Sequence, residues 1–150
     1  MTPSGTTLQP LQHSFLAPEF GKAKVLDAMR LGVISCGAET PLREAARMMS
    51  TYRIHCIVVF DLEGERPWGV VSDLDLAAAA GQDLDDVSVG SVASTELVTV
   101  HPDETLERAA QLLTEHQVGH LVVVKSPDDH PVGVLSTLDV AGVLAWGGSA

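Results

Sequence analysis

From Lys22 onward the apolar and polar positions follow two alternating rhythms. Leu42, Ala45, Ala46 and Met49 stand at the i, i+3, i+4, i+7 spacing of one buried helix face, and Leu106, Ala109, Ala110 and Leu113 repeat it. An apolar run follows each helix, at 56–60 and 120–124, and reads as a buried strand. Turn-forming residues come next, at 61–66 with Gly64 and at 125–130 with Pro127 and two Asp. A second apolar run, 68–72 or 132–136, then returns to make a hairpin. Ahead of each helix lies a short apolar strand, 33–35 or 97–100. Thr40-Pro41 and Pro102-Asp103 supply the capped helix starts. Ala-rich helices at 74–80 and 138–146 close the two halves, so each half reads β-α-β-β-α.

The two halves are one unit written twice. Residues 25–79 align with 89–143 without a gap, so that Val25 meets Val89, Leu42 meets Leu106 and Val58-Val59 meets Val122-Val123. One such unit would leave a face of its sheet bare. The expected architecture is therefore α/β, with tandem repeats packed on each other around a pseudo-twofold axis. The expected divisions are a tail at 1–21, a first motif at 22–83, a second at 84–146 and a short end at 147–150. The polar link 81–86 is too short to separate independent domains. The tail is rich in Pro, Ser, Thr, Gln and Gly, and reads as flexible or loosely docked through Leu8, Leu11, Phe15, Leu16 and Phe20.

Composition narrows the function classes. The chain has 150 residues, 45% of them hydrophobic but only 4% aromatic, so its core is aliphatic. A formal net charge of -11, from 20 acidic and 9 basic residues, argues against binding to a nucleic-acid backbone or an anionic membrane. Cys36 and Cys56 make no disulfide framework and read as reduced, buried thiols. No apolar run approaches the roughly 18–20 residues of a membrane span, and no basic-then-apolar leader is visible. These features place the expectation in the cytoplasm.

The chemistry concentrates where each hairpin runs into its closing helix. Residues 67–77 carry Gly69-Val70-Val71-Ser72-Asp73-Leu74-Asp75, and residues 131–141 carry Gly133-Val134-Leu135-Ser136-Thr137-Leu138-Asp139. A strand end followed by a helix start aims backbone N–H groups at one spot, which suits anions. A carboxylate three residues after the hydroxyl lies about one turn on and faces the same place. This tandem pattern resembles a cystathionine-beta-synthase (CBS) domain pair, or Bateman module, over residues 22–146. The family hallmark is Gly, apolar, any, Ser or Thr, any, any, Asp or Asn, found here in both copies.

The resemblance implies a non-enzymatic, stand-alone regulatory module. Such a module binds adenosine ligands (AMP, ADP, ATP or S-adenosylmethionine) between its motifs and signals to a protein partner in trans. By that resemblance Asp75 and Asp139 accept hydrogen bonds from ribose hydroxyls, Ser72 and Ser136 donate to a phosphate, and Ile34 and Val98 border the adenine. His55 and His120 lie where family members often carry a basic residue, but in adjacent rather than equivalent columns. Neutral histidine offsets no phosphate charge, so AMP or another low-charge ligand is favoured over ATP. The ligand is regulatory and no cofactor is required.

Other readings of the same residues stay open. Asp75 and Asp139 also suit helix capping without any ligand, and His55 and His120 suit a partly buried core position. Asp73-Leu74-Asp75 has the spacing of an acidic metal site, but Thr137 replaces Asp73 in the second copy, so no metal is expected. His55-Cys56 adjoin along a strand, which points them to opposite faces and away from a nucleophilic pair. No zinc spacing, phosphate loop or nucleophile elbow is present, so no enzyme activity is expected. The alternative function is a structural dimerisation module with empty sites. In either case the Ala-rich closing helices expose small apolar faces that a symmetric homodimer would cover.

Overall fold

The computed structural model describes residues 17–61, 63–64, 66–125 and 130–148. Leu8, Leu11, Phe15 and Leu16 of the expected tail lie outside them. In chain order the elements are α1 (Val25–Ala28), β1 (Arg30–Leu31), β2 (Ser35–Gly37), α2 (Leu42–Tyr52), β3 (Cys56–Phe60), β4 (Pro67–Ser72) and α3 (Asp73–Ala78). The second half supplies α4 (Val89–Val92), β5 (Thr99–Val100), α5 (Leu106–His116), β6 (His120–Lys125), β7 (His130–Ser136) and α6 (Thr137–Trp146). The expected β-α-β-β-α order is present in both halves, and the α/β fold is that of tandem repeats about a pseudo-twofold axis.

Each half owns a sheet in which a parallel pair meets an antiparallel hairpin. β2 runs parallel to β3, which pairs antiparallel with β4; β5, β6 and β7 do the same. Cys56–Val59 and Leu121–Val124 are buried throughout because helices cover one face of each sheet and the other sheet covers the opposite face. Leu42, Ala45 and Met49 fill the first core with Ile57 and Val71, and Leu106, Ala109 and Leu113 fill the second with Leu121 and Leu135. Val58, Val122 and Val124 form a third cluster with Val33, Phe60, Val70, Leu97 and Val134, joining the two sheets.

The elements not expected from periodicity are the short ones that open each half, and they are exchanged. Val25 of α1 packs in the core of the second half, and Val89 of α4 packs in the core of the first. The backbone follows the same exchange. Val25 N–H donates to the Glu104 carbonyl at 2.9 Å and Leu26 N–H to that of Pro102 at 3.0 Å. Lys24 bridges to Thr105, and the repeat-related Ser88 bridges to Pro41. Helix starts carry N–H groups with no partner inside the helix. Here Leu42 N–H donates to Val87 at 2.7 Å, Arg43 N–H to Leu84 at 3.1 Å, and Leu106 N–H to Ala23 at 2.9 Å, so each long helix is begun by the other half's leader.

β1 extends the exchange into the sheet. It pairs antiparallel with β7, Arg30 opposite Val134, and Ser94 makes the equivalent bridge to Val70. A Cβ on Gly133 would run into the Arg30 carbonyl, and one on Gly69 into that of Ser94. The motif glycines are therefore explained by the close approach of an exchanged strand.

Several expected boundaries move. The first strands lie at Ser35–Gly37 and Thr99–Val100 rather than 33–35 and 97–100. Ile34 and Val98 still accept hydrogen bonds from Val58 and Val122, each at 3.0 Å, on the way into the ladder. The second long helix is capped by Thr105, whose Oγ1 accepts from Arg108 N–H at 3.1 Å, and not by Pro102-Asp103. The Pro102 and Glu104 carbonyls are engaged with α1. Pro41 holds the cap position of α2 without any side-chain bond. Residues 17–21, expected to be loose, are docked on the second half: Ala17 is buried, Phe20 packs against its core, and Gly148 N–H donates to the Ala17 carbonyl at 2.8 Å.

Gly133→Ala and Gly69→Ala should each destabilise the protein by about 1–3 kcal/mol, the typical cost of overpacking. Gly142→Ala, inside α6 with no atom within 4 Å of the new Cβ, should be neutral or stabilising. Denaturant midpoints of the three variants check the pattern; an unchanged midpoint for Gly133→Ala would contradict it.

Candidate functional site

A cavity of about 440 Å³ opens where β1 and the run into β2 meet the start of β3 and the β7–α6 joint. Both halves build it. Ile34, His55 and Cys56 come from the first, and His120, Ser136 and Asp139 from the second. Of the residues expected to bind a ligand, Ile34, His55, His120, Ser136 and Asp139 line this cavity. Ser72, Asp75 and Val98 are not among its lining residues and stand at the repeat-related position.

The joint itself is a reciprocal cap. Ser136 N–H donates to Asp139 Oδ2 at 2.8 Å, and its hydroxyl donates to the same oxygen at 3.0 Å. Asp139 N–H returns a bond to Ser136 Oγ at 3.2 Å. Ser72 and Asp75 repeat the arrangement at 2.8, 3.1 and 3.3 Å. The capping reading of these aspartates is thus realised in both copies. It engages Oδ2, while Oδ1 of Asp139 faces the Arg30 guanidinium, with Nε at 3.8 Å. The copies differ in depth. Asp139 is only 6% exposed, whereas Asp75 is half-buried.

Arg30 is a cavity residue that sequence reasoning overlooked. It lies ahead of the motif, on a two-residue strand with no periodicity of its own, and reaches the cavity only because β1 crosses to β7. The signal was nevertheless present. The repeat sets Arg30 against Ser94, a loss of charge between otherwise matching halves. Tyr52, at the end of α2, is a second lining residue of the same kind.

The histidines and thiols have distinct settings. His55 Nδ1 lies 2.7 Å from Asp73 Oδ2. That hydrogen bond holds the Asp73 carboxyl below its usual range, against the opposing effect of its partial burial. Asp73 is thereby turned to His55 and Asp75 to Ser72, so the acidic pair does not converge. Among the described residues no group of three or more His, Cys, Asp or Glu could hold a metal. Burial, and then the neighbouring His55, lowers the His120 pKa. Burial, and then the Asp73 charge, pushes the Cys56 thiol up to about 12, and burial also raises Cys36. Both thiols stay protonated at neutral pH and offer no nucleophile.

The sign of the His120 effect is testable. A depressed histidine pKa means the unfolded chain binds the proton more readily, so its stabilising contribution is complete above the ordinary value of 6.5. It is lost as pH falls below that value and through the lower native pKa. Stability measured between pH 7 and 5 should fall with acidification, and His120→Gln should flatten that slope. An unaltered slope would show that His120 titrates normally.

Comparison with known proteins agrees with the duplicated architecture. The family model for the CBS domain matches residues 25–81 and again 89–145. The CBS domain-containing protein YhcV of Bacillus subtilis (strain 168) is 32% identical over 122 residues, covering 79% of this chain and 84% of that protein. A homoserine O-acetyltransferase of Methanohalophilus mahii is 29% identical over 143 residues, 93% of this chain but only 28% of the enzyme. Among solved structures, a CBS domain pair in complex with 5′-methylthioadenosine and S-adenosyl-L-methionine superposes with a TM-score of 0.73 at 19% identity. That match covers 82% of this chain and 96% of the other. Among the described residues no helix is long and apolar enough to cross a membrane. With both halves matched in tandem, the chain belongs to the CBS domain family as a CBS domain pair.

Proposed function

We propose that the chain is a regulatory, non-catalytic module that takes up an adenosine ligand in the cavity between its two CBS motifs and relays occupancy to a protein partner in trans. The observation that carries this reading is the convergence of Ile34, His55, His120, Ser136 and Asp139, drawn from both halves, on one cavity. Ile34 offers an apolar wall for a base. Asp139 offers a buried carboxylate of the kind that accepts from ribose hydroxyls. The structural neighbour crystallised with 5′-methylthioadenosine and S-adenosyl-L-methionine lends the ligand class. AMP is favoured over ADP, ATP and S-adenosylmethionine, since one partly exposed Arg30 suits a single phosphate while a net charge of -11 opposes polyphosphates. Binding AMP would make the module a sensor of cellular energy state. A cytoplasmic place and a regulatory rather than cofactor role for the ligand fit this reading.

The exposed leucines of the closing helices bear on assembly. Leu74 of α3 is 75% exposed, and Leu138 and Leu144 of α6 are 62% and 63% exposed. A homodimer that pairs these faces would cover them. The second reading, a dimerisation module with empty sites, draws on the Ser136 hydroxyl, whose proton goes to Asp139 within the helix cap.

Calorimetric titration with AMP, ADP, ATP and S-adenosylmethionine separates the two. Asp139→Ala should weaken adenosine-ligand binding about ten- to a hundredfold, the value of a charge-assisted hydrogen bond, and lower stability by only about the 1 kcal/mol of a helix cap. Equal binding by wild type and variant would remove the ribose role, and no binding by wild type would favour the empty scaffold. Light scattering at micromolar concentration should give the mass of a dimer; a monomer mass would contradict the assembly.

A further inference from the structure

The repeat makes two related ligand positions, but the side chains around them do not match. Each residue of the Arg30 cavity has a counterpart 64 positions away. The structure confirms that counterparts occupy equivalent places, with Arg30 opposite Val134 in one sheet and Ser94 opposite Val70 in the other. Around the Asp139 cavity the lining carries Arg30 and Asp139, with His55 and His120 beside them and Asp73 behind His55 at 2.7 Å. Arg30 is 41% exposed, and its one ion pair among the described residues is the loose 3.8 Å approach to Asp139. Its guanidinium has five donors in a planar fork, so it retains capacity to meet an anion at the cavity wall.

At the related position that cation is gone. Ser94 stands for Arg30 and Gly119 for His55. Glu96 stands for the cavity residue Gly32, and His116 stands for the cavity residue Tyr52. Glu96 Oε2 and His116 Nδ1 lie 3.2 Å apart, so the columns of the cavity residues Gly32 and Tyr52 are joined by a side-chain hydrogen bond at the related position. By the repeat, Glu96 and Asp75 fall in columns whose counterparts at the Arg30 cavity are Gly32 and Asp139, so a carboxylate is added where Arg30 is lost.

We infer that the two positions are chemically unequal: the Arg30 cavity takes an adenosine ligand bearing one short anionic group, and the Asp75 position, bridged by Glu96 and His116, rejects that ligand. Arg30 is then the specificity-determining residue of the module. The inference rests on the adenosine reading above, and the experiment keeps the two apart by comparing AMP with uncharged adenosine.

Titration calorimetry on the full chain should show one AMP per chain. Arg30→Ala should weaken AMP about ten- to a hundredfold, the loss expected for a charge-assisted contact, and adenosine by several-fold less, since only AMP carries the anion. Arg30→Lys, which keeps the charge, should recover most of the AMP affinity. Added salt should weaken AMP more than adenosine. Two equivalent AMP molecules per chain would overturn the inference without any variant. An Arg30→Ala protein that loses AMP and adenosine equally, although circular dichroism shows it folded, would overturn it too. Failure of wild type to bind either ligand would instead defeat the adenosine reading and this inference with it.

Discussion

The structure depends on a close backbone contact made twice. The carbonyl of Arg30 presses on Gly133 and that of Ser94 on Gly69, leaving no room for a Cβ at either glycine. Each contact seats the opening segment of one half against the sheet of the other. The helix starts follow from it. The first N–H groups of α2 are met by the link that precedes α4, and that of α5 by the segment that precedes α1. Backbone donors left bare in a buried place carry a large desolvation cost, so neither half can keep its long helix well begun without the other.

The same exchange produces the cavity. Arg30 and Ile34 arrive on the first half's chain, while Asp139 sits at a helix start of the second. Duplication supplies two such joints, each with a Ser–Asp reciprocal cap of nearly the same dimensions. The cap holds each carboxylate in one place at its helix start. Outside the cap the two joints diverge. Arg30 and His55 in one half correspond to Ser94 and Gly119 in the other, and the depth of Asp139 exceeds that of Asp75.

Much of this was legible in the chain. The helix faces at Leu42 and Leu106, the hairpins at Val58 and Val122, and the Ser–Asp joints follow from periodicity and from the gapless repeat, because long elements bury a regular stripe. The two- and four-residue elements α1, β1 and α4 escaped because they contain less than a period of either pattern. Arg30 escaped with them. The cap at Pro102-Asp103 failed because those residues receive a segment from the other half, a tertiary demand that local capping chemistry does not register. Whether a carboxylate caps, binds or does both is likewise absent from a spacing of three. Only the geometry shows Asp139 Oδ2 engaged by Ser136 while Oδ1 faces Arg30.

If exchanged segments hold the two halves together, neither half has an independent folding equilibrium. The chain carries one tryptophan in each half, Trp68 on β4 and Trp146 on α6. Guanidinium unfolding of Trp146→Phe and Trp68→Phe, followed by the remaining tryptophan, reads the first and second halves separately. Each substitution has its own effect on stability, so each variant is also followed by far-ultraviolet circular dichroism. Within each variant the fluorescence and dichroism transitions should coincide, as one cooperative unit requires. A tryptophan transition displaced from the dichroism transition of the same variant would show the halves unfolding separately and contradict the account.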